Sequence, residues 1–326
     1  MTSPTTGAPG TPTAARKRPS PLMITVLIVA AIIIVFLALA GVLADVFWYE
    51  QTGYLAVLLT QWGAAAAVFL VGFIAMAVPV FFAIDIAYRT RPVYARLTAQ
   101  LDRYQEMIEP LRRLVKWALP AVLGIFAGLT AGSQWQTVLL WLNKEEAGTV
   151  DPEFGFDVSF FMFSLPFWQS VMTMASAVVL ISLLASAATS YLYGGISITG
   201  KHVRISKATR VQLAVIAGIF LLLQAVSLWL DQYRTVTDST GLITGAGYTD
   251  VHAVIPGKSI LAAIAALVAI LFLITAFTGK WRLPVIGTAL LLVASLVVGA
   301  GYPWFMQRFQ VGPDEKSLES EYIQRN

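Results

Sequence analysis

The chain has 326 residues, 57% of them hydrophobic and only 12% charged, with a mean hydropathy of +0.73. Soluble domains carry about twice that share of charge, so the composition excludes an ordinary soluble fold and points to a multi-span membrane protein. Cysteine is absent and the only histidines are His202 and His252, which excludes disulfides and thiolate chemistry and argues against a His-rich metal centre or a Ser-His-Asp triad.

Residues 1–21 are rich in Pro, Thr, Ala and Gly and lack apolar periodicity, the composition of a disordered cytoplasmic tail. Arg16, Lys17 and Arg18 then precede an apolar run over about 22–44. That run is longer than a secretory h-region, so it reads as an uncleaved anchor. Further runs follow at about 62–88, 114–134, 167–193, 211–230, 259–278 and 284–305. Each is long enough to cross roughly 30 Å of hydrocarbon. Lipid offers no partner to backbone polar groups, so each must be helical. The expected fold is an all-α polytopic bundle of about seven transmembrane helices spanning 22–305.

Sidedness follows from lysine and arginine. With the N-terminus in the cytoplasm, 16 of the 22 fall inside. They sit in the tail, in 89–116, in 201–210 and at Lys280 and Arg282. Of the 18 acids only Asp85, Asp102, Glu106 and Glu109 fall inside. An odd number of spans puts the C-terminus outside. This sorting accounts for the pI near 9.3 without a nucleic-acid partner. The partner expected instead is the bilayer, with the basic face on its anionic leaflet.

Between spans two and three, Tyr94, Leu97, Leu101, Tyr104, Ile108 and Leu111 recur at helical spacing. They predict a cytoplasmic amphipathic helix over 91–109. Its apolar stripe lies on the membrane surface or packs against a neighbour. In span three, Gly124, Gly128 and Gly132 share one helix face, where a neighbouring backbone can approach closely. Helix packing is their ordinary role, and a lumen lined by them is the sharper alternative.

The stretch 151–168 reads DPEFGFDVSFFMFSLPFW. Its acids, Asp157 among them, suit water, and its aromatics suit the outer headgroup zone. In span five Gln224 is the only deep amide, an interhelical hydrogen bond or part of a polar path. The outer loop 231–259 carries Asp231, Arg234, Asp250, His252 and Lys258. Pairing of Asp231 and Asp250 with Arg234 or Lys258 is expected there. Asp250 and His252, two residues apart, are too few for a metal site. The spans hold no ladder of arginines and almost no acids at depth, against a voltage sensor or a proton-coupled carrier.

Several stretches carry a resemblance. They are DVFWYEQTGY (45–54), YRTRPVY (88–94), GSQWQTVLLWLN (132–143), DPEFGFDVSFFMFSLPFW (151–168), YLYGGI (191–196), WLDQYR (229–234), GAGYTDVHAVIPGKSIL (245–261) and YPWFMQRFQVGPDEKSLESEYIQRN (302–326). Together they resemble uncharacterised protein family 0182, large and mainly actinobacterial membrane proteins. The resemblance implies a bacterial plasma-membrane protein with about seven N-terminal spans. It also implies that residues 306–326 begin a larger extracytoplasmic region, cut short here. It implies no chemistry and no site residues.

With no phosphate-loop, zinc-protease or nucleophile-elbow motif, no catalysis and no cofactor are expected. The reading is an anchor or scaffold module that carries or docks an extracytoplasmic domain or protein complex. Asp157, Asp231, Arg234, Asp250 and Lys258 are its candidate outer platform or gate. The alternative is a transporter or channel component with a polar path past Gln224. The oligomeric state stays open.

Overall fold

A computed structural model describes residues 21–92, 112–199, 202–238 and 245–325. The tail before Pro21 and the amphipathic segment from residue 93 onward lie outside the described residues. Two compact units meet at Thr60–Gln61.

In the first unit, α1 (Pro21–Gln51) is almost wholly apolar up to Asp45, with no acidic residue in its first turn and no basic residue in its last. Gly53 ends it at φ 78°. Tyr54 N–H donates to Tyr49 O at 2.9 Å and Gly53 N–H to Glu50 O at 3.1 Å. This is a Schellman cap with glycine in the left-handed position, and it explains the TG of DVFWYEQTGY. Helix α2 (Leu55–Arg89) starts immediately after.

In the second unit, α2 runs on and is followed by α3 (Arg112–Gly132) and the short α4 (Trp135–Leu142). Then come α5 (Leu165–Leu192), α6 (Lys207–Asp231), α7 (Ile255–Thr278) and α8 (Arg282–Leu296). A hairpin of β1 (Ile196–Thr199) and β2 (His202–Ile205) joins α5 to α6, with Ile196 opposite Ile205 and Thr199 opposite His202. Ser206 caps α6 by accepting the Thr209 N–H at 3.2 Å.

Among the described residues, seven helices are long and apolar enough to cross a membrane. Their outward surfaces carry exposed Leu70, Val71, Phe126, Leu129, Leu184, Leu267 and Leu290. So large an apolar exterior is stable only against an apolar solvent.

α3 packs on α2 through its glycines. A Cβ at Gly128 would sit 2.8 Å from Phe69 O, one at Gly132 3.2 Å from Ala65 O, and one at Gly124 2.9 Å from the Phe73 ring. A core of Met76, Val80, Ile84, Ala127 and Val178 continues this contact toward α5.

Three features go beyond the sequence expectation. The 194–210 connection holds a hairpin, and the run ending near 134 breaks at Gly132 before α4. The last run, expected over 284–305, does not stop there. It continues through α9 (Tyr302–Met306) and π-helical turns to α10 (Glu315–Arg325). The resulting helix, Arg282–Gln324, has 43 residues. At 1.5 Å per residue it is roughly 65 Å long, about twice the hydrocarbon thickness. Residues 306–326, expected to begin a separate region, are therefore helical as far as they are described.

Candidate functional site

Contacts gather at the two ends of the second unit. One end is basic. There Lys116 Nζ lies 2.6 Å from Asp85 Oδ1 and Arg89 Nε 2.8 Å from Asp85 Oδ2. The buried carboxylate thus ties α3 to α2. Gln212 Nε2 donates to Ala83 O at 2.8 Å and ties in α6. Arg91 lies over the Tyr88 ring at 4.2 Å, and that ring meets Tyr193 edge-on.

The other end carries the loop 143–159. Its acids organise backbone. Asp151 is buried, and its Oδ2 accepts the N–H groups of Glu153 and Phe154 at 3.0 and 2.7 Å. Asp-Pro is a turn-opening pair for this reason. Asp157 accepts from the amides of Ala147, Gly148 and Ser159 at 3.0, 2.9 and 2.8 Å. The Ser159 hydroxyl, its amide and the other two N–H groups hold the Asp157 pKa down at about 2. Asp157 is thus a loop staple rather than a free charge.

Folded-state depression means that this stabilisation is complete above the ordinary carboxylate pKa and is lost as pH falls through about 2. Asp157→Asn is expected to speed amide exchange at Ala147, Gly148 and Ser159 at neutral pH. Acidification below about 2 should reproduce that loss in the unaltered chain. Unchanged exchange in the variant would show that the carboxylate does not organise the loop.

The aromatics of 151–168 then have a place. Buried Tyr233, just after α6, collects Phe154 at 4.7 Å, Phe156 and Phe160 at 5.7 Å and Trp229 at 5.2 Å between ring centres. Phe161, Leu165 and Leu230 complete the cluster. On the neighbouring side, Trp141 of α4 stacks on Phe167 at 3.9 Å.

A polar belt ties the helix ends beside this cluster. Lys258 Nζ donates to the Asp231 carbonyl at 2.7 Å, and Gln169 Nε2 to Asp231 Oδ1 at 3.4 Å. Ser259 donates to Gln232 Oε1 at 2.6 Å. Arg234 pairs with Asp238 at 3.2 Å on the surface, a contact worth little. The expected pairing of Asp231 and Asp250 with Arg234 or Lys258 is therefore replaced. Lys258 reaches a carbonyl of Asp231, and Asp250 caps a helix. The reason is backbone demand, because helix ends leave orphan N–H and C=O groups that nearby polar side chains satisfy.

That cap forms the third part of this end. Asp250 Oδ2 accepts the Gly247 N–H at 3.1 Å, three residues back, as a capping-box acid does. Glu319 of α10 accepts the Tyr248 N–H at 3.0 and 3.2 Å through its two oxygens. Two carboxylates thus meet one helix N-terminus, where the helix dipole favours them. Thr249 donates to Gln307 Oε1, and Gln310 Nε2 to the Tyr248 hydroxyl at 2.9 Å. His252 stacks on Tyr248 at 4.2 Å, and buried Tyr322 meets both rings edge-on. The signature loop and the last helix form one clamp.

The structure thus brings Asp231 and Lys258 together, with Asp157, Arg234 and Asp250 engaged separately. Half-buried Gln224 on α6 hydrogen-bonds to none of the described side chains. Among the described residues, no three His, Asp or Glu are grouped to hold a metal ion. Sequence reasoning missed Asp151, Tyr233, Gln232 and Glu319. Asp151 alone left a local signal, its following proline.

The family model described as "Uncharacterised protein family (UPF0182)" matches residues 22–326. A UPF0182 protein of Clavibacter michiganensis subsp. michiganensis is 60% identical over 96% of this chain and 32% of its own length. One of Leifsonia xyli subsp. xyli is 56% identical over 94% of the chain and 31% of its own length. One of Arthrobacter sp. strain FB24 is 48% identical over 98% and 32%. No solved structure matches. The chain spans about a third of the length of these curated relatives, and over residues 22–326 it belongs to the uncharacterised protein family UPF0182.

Proposed function

We propose that the chain is the membrane anchor of a bacterial plasma-membrane protein, with its basic end in the cytoplasm and its acidic end carrying or docking an extracytoplasmic domain or protein complex. One observation carries this reading. The helix that runs beyond membrane length is clamped to the signature loop through Glu319, Tyr322, Gln307 and Gln310. A helix held at both its membrane and its distal parts gives whatever follows or binds it a fixed orientation. The loop 143–159, stiffened by Asp151 and Asp157, lies at the same acidic end as the polar belt and adds a rigid surface for a partner.

A second reading, a transport role, is favoured by one feature of α5. Ser182, Ser186 and Ser190 are buried at spacing of four, and their hydroxyls have no hydrogen-bond partner among the described residues. A line of unpaired hydroxyls in a bundle suits a hydrated path.

One labelling experiment separates the two, and the absence of native cysteine makes it free of background. Single cysteines at exposed Glu146, Lys316 and Arg204 and at buried Ser186 are treated with a membrane-impermeant thiol reagent in spheroplasts. Anchoring predicts that Glu146→Cys and Lys316→Cys react in intact spheroplasts, Arg204→Cys only after permeabilisation, and Ser186→Cys in neither. Reaction at Arg204→Cys from outside would overturn the sidedness. Rapid reaction at Ser186→Cys would favour transport.

A further inference from the structure

A cavity of about 820 Å³ opens between α2, α5 and α6. Phe82 and Ile86 of α2, Val179 of α5 and Val215 and Ile219 of α6 form its apolar wall. Phe82, Ile86 and Ile219 are themselves exposed on the bundle exterior. The cavity therefore opens sideways, toward lipid.

Apart from Ser182 of α5, its polar groups are concentrated toward one end. Lys207 and Thr90 line it where α2 finishes and α6 begins, and Gln212 follows five residues into α6. Lys207 is exposed and makes no ion pair or hydrogen bond with the described residues. Gln212 gives its Nε2 to Ala83 O, while its buried Oε1 has no hydrogen-bond partner among the described residues. From Lys207 to Ile219 is twelve residues of helix, or about 18 Å. One leaflet of a bilayer is about 15 Å of hydrocarbon. The cavity is thus as deep as a leaflet, chiefly apolar beyond Gln212 and Ser182, and has a cation where headgroups lie.

We infer that this cavity binds one anionic phospholipid of the adjoining leaflet, with an acyl chain along α6 and its phosphate against Lys207. The side opening faces hydrocarbon, so a lipid already stands there. The unpaired lysine supplies charge complementarity, and Gln212 Oε1, about 7 Å below it, can accept from the glycerol or headgroup region. The inference requires only that Lys207 and Ile219 lie at different depths of the bilayer. It therefore stands or falls separately from the anchoring role.

The purified full chain, titrated in detergent with phosphatidylglycerol or with phosphatidylcholine of the same acyl chains, tests this by native mass spectrometry. One phosphatidylglycerol should be retained with roughly fivefold preference, the factor expected of one basic side chain near a phosphate. Lys207→Gln should abolish the preference and keep a weaker, headgroup-blind association. Val215→Trp, which fills the wall, should abolish retention of both lipids. Val179→Phe fills it from another helix, and thermal unfolding shows which filled variants remain folded. Preference that survives Lys207→Gln would overturn the assignment. So would retention by a folded, filled variant, or a dimer that Val215→Trp dissolves, since a second copy would then cover this face.

Discussion

Replacing Gly128 by alanine is expected to destabilise the second unit by about 1–3 kcal/mol, the cost of overpacking a close contact. The new Cβ would stand 2.8 Å from the Phe69 carbonyl oxygen and 2.9 Å from its ring. A carbonyl belongs to the α2 backbone and cannot rotate away, so α3 must move. Gly132→Ala should cost less, because its nearest atom is the Ala65 oxygen at 3.2 Å. Gly124→Ala should also cost less, because the Phe73 ring that it meets at 2.9 Å can turn, although Ala77 Cβ at 3.1 Å cannot. Gly63→Ala on α2 has open space around it and should be neutral or mildly stabilising, as alanine is the better helix former. Gly128→Leu should separate the two helices outright. Thermal unfolding in detergent ranks the series, and equal midpoints for Gly128→Ala and Gly63→Ala would refute close α2–α3 contact at this glycine.

That series also shows what kind of information the sequence holds. Glycines at spacing of four are a local pattern, and the helix converts it into a face without outside help. The apolar runs are legible for the same reason, since hydrocarbon imposes length and helicity on each run separately. The 194–210 hairpin and the break at Gly132 are local too, but their signals are short and sit beside long hydrophobic runs that dominate any reading. Side-chain roles in the loops are a different matter. Asp157 and Asp250 look like free surface charge in one dimension. In three they satisfy backbone N–H groups, some ten residues away and some three. Glu319 is further removed, 71 residues from the Tyr248 amide that it accepts from. No spacing rule reaches that far. Expecting acid–base pairs in 231–259 gave weight to net charges. The folded chain uses partial charges at helix ends, which exist only once the helices do.

The same reasoning clarifies why a greasy bundle with polar ends supports anchoring. Ion pairs, caps and aromatic clusters lie where the helices end. Between the ends, contacts are chiefly apolar, with the buried α5 serines and half-buried Gln224 as polar exceptions. A bundle organised in this way resists reorientation at its ends. Such resistance is a property that a mount requires.

Removing the clamp should therefore have the largest consequence for the acidic end. In the double variant Glu319→Ala, Tyr322→Ala, the Tyr248 N–H loses its carboxylate and the Tyr248–His252 stack loses its buried ring. Truncating a buried aromatic costs about 3–5 kcal/mol. Loss of a charge-assisted acceptor adds about 1.5–3 kcal/mol. That sum exceeds what the last 11 residues of the long helix can recover from their own propensity, because helical segments of that length without tertiary contacts are marginal in water. The expected result is a bundle of unchanged melting behaviour with residues 312–325 detached. Protease should cut within that segment in the double variant and spare it in the unaltered chain, and the Tyr248 amide should exchange faster. Tyr322→Phe keeps the ring and should keep the clamp, which separates ring packing from the hydroxyl. If the double variant resisted protease as well as the unaltered chain does, the clamp could not be what fixes the last helix, and the proposed mount would lose its basis. If it is cut while the bundle stays folded, the orientation of the last helix depends on two side chains and the loop that receives them.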